Sequence, residues 1–264
     1  MSNSVQILRF RWFRPLRTIT ALMLREMSTT YGRSAAGYLW AIIEPVAALA
    51  LLSIAFALFL RHPSLGTNFP LFYASGYLVF NLYMNVGNKV AQAVSFSKPL
   101  LEFPAVTPLD TILARFLLNY LTQLMVSVII FGGIIAIYDL RLILDFPTIV
   151  LAYLAAGAFT LGIGTFNCYL FAAYPSYVQV WAILNRPMFL VSGIFFMFDI
   201  VPQPYRDILW FNPLIHLVGL LRSGIYATYD APYVSLVYVM GVSGILFAVG
   251  LLMLNRHIRD AMNR

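Results

Sequence analysis

Charge is what this chain has least of. Asp, Glu, Lys and Arg make up 10% of its 264 residues, against about 25% in an ordinary soluble domain. With 61% hydrophobic residues and a mean hydropathy of +0.82, that scarcity excludes a water-soluble globule and points to one polytopic membrane unit. Cysteine is almost absent too. Cys168 stands alone inside an apolar run, so no intrachain disulfide and no zinc-type spacing can form, and the thiol reads as inert packing. Several chemical signatures are also missing: the G-x-x-x-x-G-K-[ST] phosphate loop, H-E-x-x-H, G-x-S-x-G and carboxylates paired close in sequence. His62, His216 and His257 lie far apart. The chain therefore carries no ATP site of that kind and no catalytic constellation, and no cofactor of its own is expected. The net charge of +7 is concentrated in a few places, so membrane topology explains it better than nucleic acid does. No cleavable signal peptide is visible, because Arg14, Arg17 and Arg25 interrupt the N-terminal apolar residues.

What is present is a set of six long apolar runs: Gly37–Leu60, Phe69–Val94, Thr111–Tyr138, Phe146–Ala173, Val178–Phe198 and Tyr233–Leu254. Each can cross a hydrocarbon core about 30 Å thick, which takes roughly 20 helical residues. The expected fold is all-α and integral to the membrane, with six transmembrane helices. An even count puts both termini on one side. Arg9, Arg11, Arg14, Arg17, Arg25 and Arg33 precede the first run, Arg256, Arg259 and Arg264 follow the last, and Lys98 lies in the second loop. The positive-inside rule puts that side in the cytoplasm.

Residues 1–36 mix arginines with Phe10, Trp12, Phe13, Leu16, Ile19, Leu22 and Leu24 at three- and four-residue intervals. That pattern predicts a basic amphipathic helix in the cytoplasmic interface. Residues 37–264 form the membrane domain. Its second loop, about 97–104, predicts a short helix between Pro99 and Pro104. Leu100, Leu101 and Phe103 would be oddly exposed in a plain connector, so they favour docking onto a partner. The stretch Asp199–Asp230 is too polar to cross a membrane and too apolar for a watery loop. It predicts two short re-entrant helices, Pro204–Phe211 and Pro213–Tyr226, with Asn212-Pro213 as cap and first turn.

Polar stripes run inside the apolar runs. Tyr77, Asn81, Asn85, Asn88, Gln92 and Ser95 share one helical face of the second. Each unpaired amide in hydrocarbon costs several kcal/mol, so this face meets another helix or a wet passage. The third run offers Thr111, Arg115, Asn119, Thr122, Gln123 and Ser127; the fourth, Thr160, Gly164 and Asn167; the fifth, Gln179, Arg186, Ser192 and Gly193. Interhelical hydrogen bonds would explain any one of them, whereas so many amides together favour a hydrated path. Arg186 sits roughly 12 Å into the fifth run, where it either snorkels or faces a cavity. Glu44, beside Pro45, reads as the acid buried in the first run.

Several segments resemble the membrane subunits of type-2 ABC exporters, and among them the capsular-polysaccharide permeases. They are Leu24-Arg25-Glu26 with Tyr31-Gly32-Arg33 and Gly37 to Pro45; Pro108-Leu109-Asp110-Thr111-Ile112 with Ala114-Arg115; Arg186-Pro187 with Ser192 to Phe196; and Asn212-Pro213-Leu214-Ile215-His216 ending at Arg222. Together they span nearly the whole chain in order. Thr30 and Gly219 depart from the family's usual basic and acidic residues. The resemblance implies a homodimer served by two separate ATPase subunits that bind ATP and Mg. It implies a coupling helix around Lys98, Leu100, Leu101, Glu102 and Phe103, and outward gate helices bearing Trp210, Asn212, Pro213, His216 and Arg222. The cargo it implies is a lipid-linked anionic polysaccharide crossing a bacterial inner membrane, with periplasmic co-polymerase-type and outer-membrane export partners. On that footing Tyr77, Asn81, Asn85, Asn88, Gln92, Arg115, Asn119, Gln123 and Arg186 are candidates for the path. The same fold could export O-antigen, teichoic acid or a lipophilic small molecule. An integral-membrane glycosyl- or acyltransferase would need a buried acid or His cluster, and a channel would conduct without ATP.

Overall fold

The computed structural model describes residues 14–31, 36–101 and 106–262. Glu102 and Phe103, and residues 1–13 and 32–35 of the N-terminal segment, lie outside the described residues. Among the described residues every regular element is a helix. The main helices are α1 (Arg14–Glu26), α2 (Ala36–Phe59), α3 (Phe69–Ala91), α4 (Ala93–Leu101), α5 (Pro108–Ile137), α6 (Phe146–Ala173), α7 (Tyr177–Val191), α8 (Tyr205–Trp210), α9 (Pro213–Ile225) and α10 (Leu236–Met262).

Four stretches are long and apolar enough to cross a membrane: Leu39–Phe59, Pro108–Ile137, Phe146–Ala173 and Leu236–Arg256. The other two expected spans differ. Helix α3 has 23 residues, long enough at 1.5 Å per residue, but Asn81, Asn85, Asn88 and Lys89 dilute its apolar content. Helix α7 has 15 residues and reaches only about 22 Å. The expected run to Phe198 stops at Val191 because Gly193 takes a φ of 80°, in the left-handed region that ends helices.

Helix starts follow local chemistry. Asn68 accepts from the Leu71 N–H at 2.9 Å to cap α3. Thr107 and Asp110 cap α5 reciprocally, through Thr107 N–H to Asp110 Oδ2 at 3.0 Å and Asp110 N–H to Thr107 Oγ1 at 3.2 Å. Asn212 accepts from the Leu214 N–H at 3.1 Å to cap α9, with Pro213 in the first turn.

Helix α6 is the centre of the bundle, packed against α10, α3 and α9. Helices α6 and α10 approach so closely that a Cβ on Gly162 would stand 2.4 Å from the Ser243 carbonyl oxygen, and one on Gly250 would stand 2.6 Å from the Phe166 nitrogen. Small residues at such crossings let backbones touch. Connectivity and contacts place α1, α4 and the start of α5 at one end of the bundle. Helices α8 and α9 lie at the other, where Asp145 N–H donates to Gly224 O at 2.9 Å.

Candidate functional site

The polar stripe on α3 lies opposite a buried face. Leu78, Leu82, Val86 and Val90 are fully enclosed, while Tyr77, Asn81 and Asn88 are half-buried and Asn85 and Gln92 are exposed. The amides are linked: Asn85 Nδ2 donates to Asn81 Oδ1 at 2.8 Å, and Asn81 Nδ2 to Gln123 Oε1 at 3.4 Å. Helix α7 docks beside this stripe. Tyr83 donates to Asn185 Oδ1 at 2.9 Å, and Phe189 meets Phe80 and Tyr77 edge-on. Asn185 is the buried amide of α7, a role the sequence did not reveal. Next to it, Arg186 is exposed and meets no hydrogen-bond or ion-pair partner among the described residues. Glu44, expected to be buried, is exposed instead. It stands on α2, a helix that the chain itself covers sparsely, within electrostatic reach of Tyr77 on the stripe.

Two path candidates turn inward. Arg115 is 4% exposed and its Nε donates to Glu26 Oε1 at 3.1 Å. Asn119 Nδ2 donates to the same Glu26 oxygen at 3.3 Å and to Arg115 O at 2.8 Å. Neither side chain is free to line a passage within this chain, because both are committed to the end of α1. Glu26, at 3% exposed, is thus a buried acid, and the sequence signals for it were its place in the Leu24-Arg25-Glu26 segment and beside a basic interface segment.

At the same end, α4 begins earlier than expected and is described as far as Leu101. Lys98 is exposed, while Leu100 and Leu101 are half-buried. Leu100 joins Arg17, Thr18, Ala21, Leu22, Arg25 and Val106 around a cleft of about 470 Å³ between α1 and the tip of α4. Leu100 is thus partly covered by α1, and Leu101 packs against the core.

The opposite end is organised around Arg222, 2% exposed. Its Nε donates to Ser75 Oγ at 3.1 Å and its terminal nitrogens to Phe196 O at 3.0 Å and Ile194 O at 3.1 Å. Those carbonyls are free because α7 has already ended. Asn212 Nδ2 also donates to Val191 O at 3.1 Å, so α9 caps the broken end of α7 from two points. His216 is enclosed: one ring nitrogen contacts Trp210 O at 2.7 Å and the other accepts from the Ser235 N–H at 3.2 Å. Trp210 Nε1 donates to Tyr233 O at 3.1 Å. In the loop beyond, burial pushes the Tyr229 phenol above its ordinary range, so it stays a donor to Asp199 Oδ2 at 3.2 Å. Helix α9 buries its apolar face against α6 and α3, whereas α8 leaves Ile208 exposed. An apolar cavity of about 500 Å³ lies away from the stripe, between α5, α6 and α9, lined by residues such as Leu124, Phe131, Ile149 and Leu221.

Comparison with known proteins places this arrangement. The polysialic acid transport protein KpsM of Escherichia coli is 30% identical over 234 residues, 89% of this chain and 91% of that protein. The capsule polysaccharide export inner-membrane protein CtrC of Neisseria meningitidis is 28% identical over 244 residues, 91% of each chain. BexB of Haemophilus influenzae, with the same description, is 28% identical over 243 residues, 90% of this chain and 89% of BexB. Residues 17–226 match the ABC-2 type transporter family, which takes in the α1 end, the stripe and the α9 end alike, and the chain belongs to that family.

Proposed function

We propose that this chain is the permease subunit of an ATP-driven exporter that carries a lipid-linked, anionic capsular polysaccharide across a bacterial inner membrane. The observation that carries the reading is full-length similarity: relatives named for polysialic acid transport and capsule polysaccharide export cover about nine-tenths of the chain. The apolar helices fit a membrane subunit. The chain is a transport subunit, and the ATP and Mg chemistry belongs to a separate ATPase partner. Helix α3, and α7 together with residues 192–198 that follow it, complete six spans, two copies make the working unit, and both termini face the cytoplasm. Periplasmic co-polymerase-type and outer-membrane proteins take the polymer onward.

In this reading the exposed and half-buried polar face of Tyr77, Asn81, Asn85, Asn88 and Gln92, with the buried Gln123 behind Asn81 and Arg186 beside it, borders the passage between the two copies. A stripe of neutral amides offers many equal, weak hydrogen bonds to a sliding sugar chain. Arg186 offers an anionic polymer one unpaired cation without a tight site. Lys98, Leu100 and Leu101 on α4, with the adjoining Glu102 and Phe103, meet the ATPase. At the other end Trp210, Asn212, Pro213, His216 and Arg222 shape the outward gate, with α8 as its movable part and α9 as its frame.

Deleting the chain tests the function in cells. Polysaccharide should then accumulate inside while the surface capsule disappears, and re-expression should restore it. A normal surface capsule in the deletion strain would overturn the reading.

A further inference from the structure

The coupling reading needs α4 to transmit a push, yet α4 is not continuous with α3. The backbone leaves helical geometry at Gln92, with φ −92° and ψ 7°, although its N–H still reaches Asn88 O at 3.2 Å. Its carbonyl accepts from Phe96 N–H at 2.9 Å, in the first turn of α4. A joint of this kind would bend under load unless something braced it.

Arg115, on the first turns of α5, is placed to be that brace. Its NH1 donates to the same Gln92 carbonyl at 3.1 Å. Its guanidinium lies 4.2 Å over the Phe96 ring. Its Nε donates to Glu26 at the end of α1, and Asn119 steadies that carboxylate from one turn further along α5. One side chain thus touches the joint, the helix beyond the joint and the interface helix, while standing on a fourth element. Arg25 adds a second, looser cation at 5.5 Å from the same ring.

We propose that Arg115 is a positioning residue for ATP coupling: it fixes the angle between α3 and α4, with Glu26 as the counter-ion that holds the guanidinium across Gln92 and Phe96. A movement of α4 then reaches α1 and α5 as one body instead of being absorbed at Gln92. The proposal rests on the coupling role given to α4 above. A planar fork of donors is needed to hold a carboxylate and a carbonyl while stacking on a ring, and a lysine ammonium cannot reproduce that geometry.

The test uses the full permease with its ATPase partner in proteoliposomes, reading polysaccharide moved per ATP hydrolysed. Arg115→Lys keeps the charge beside Glu26 but gives up the fork; it should lower that ratio at least about fivefold while the complex still purifies and hydrolyses ATP. A double variant, Glu26→Leu with Arg115→Met, removes both charges and keeps the volume apolar, a change that buried ion pairs often tolerate in stability. It should purify as a folded complex and be equally uncoupled. Leu101→Asp serves as the arm for the coupling surface itself. If Leu101→Asp uncouples while both Arg115 variants keep the normal ratio, the brace is wrong and the coupling helix stands. If Leu101→Asp exports normally, the surface assigned to α4 is wrong, and the brace is judged by the Arg115 variants alone. If the Arg115 variants lose export and hydrolysis together, in proportion to lost protein, the side chain is merely structural and the proposal is overturned.

Discussion

Two buried arginines hold opposite ends of this chain with different chemistry. Each lies 4.2 Å over a phenylalanine ring, Arg115 over Phe96 and Arg222 over Phe72. Arg115 has a carboxylate for a partner, donated by another helix. Arg222 meets only neutral acceptors among the described residues: a serine hydroxyl and two backbone carbonyls. The difference lies in what each end must tie down. At the α4 end, three helices meet that the backbone does not hold together, and a buried ion pair links them directionally. At the α9 end, a helix has stopped early and left carbonyls with nothing to accept from. The arginine supplies the missing donors, and the carbonyl dipoles take the place of water around its charge. The α4 end is thus a junction between separable parts, and the α9 end a repair of broken backbone.

The largest expected effect comes from breaking the ionic end. Arg115→Ala leaves Glu26 buried and unpaired, and should cost about 3–5 kcal/mol, read as a lower unfolding temperature of the detergent-purified protein. Glu26→Gln should cost less, since a neutral amide oxygen still accepts from Arg115.

Breaking the neutral end should be milder. Arg222→Met leaves the Ile194 and Phe196 carbonyls unsatisfied, at about 1–3 kcal/mol each. Part of that is offset because a desolvated cation has gone. Limited proteolysis should show new cleavage within residues 192–197, and little change near α4. Equal losses for the two arginine variants, with no local cleavage, would erase the distinction between the ends.

Between the two ends, Tyr83→Phe removes the bond to Asn185 and should cost about 1 kcal/mol. The smallest effect on stability is expected for Asn85→Ala, within about 0.5 kcal/mol because the site is exposed. Export should nevertheless fall, if the amide stripe borders the passage. A cysteine at Asn85 in a Cys168-free background should react with water-soluble thiol reagents during transport.

Much of the helical plan was legible in the residues. Helix α6 occupies Phe146–Ala173 as its apolar run predicts, and the Asn212-Pro213 corner follows from cap chemistry that acts within three residues. The amphipathic stripe on α3 was also readable, because periodicity states which residues share a face. What faces that stripe is a long-range matter. Arg115 and Asn119 continue a similar stripe on α5, yet they are taken by Glu26, 89 and 93 residues earlier in the chain. Glu44 looked like the buried acid because it stands in an apolar run, but the chain leaves it exposed, near Tyr77 on the stripe. The early stop of α7 was hidden for another reason. Apolar content continues smoothly through residues 194–198, while Gly193 adopts a backbone angle that composition does not announce.

ATP-dependent uptake of lipid-linked capsular polysaccharide into inside-out vesicles, with the chain and its ATPase partner as the only exporter, tests the central claim most directly. Uptake should require ATP hydrolysis, and Leu101→Asp should abolish it while hydrolysis continues. Uptake that proceeds equally without ATP, or that survives Leu101→Asp unchanged, would contradict an ATP-driven permease coupled through α4.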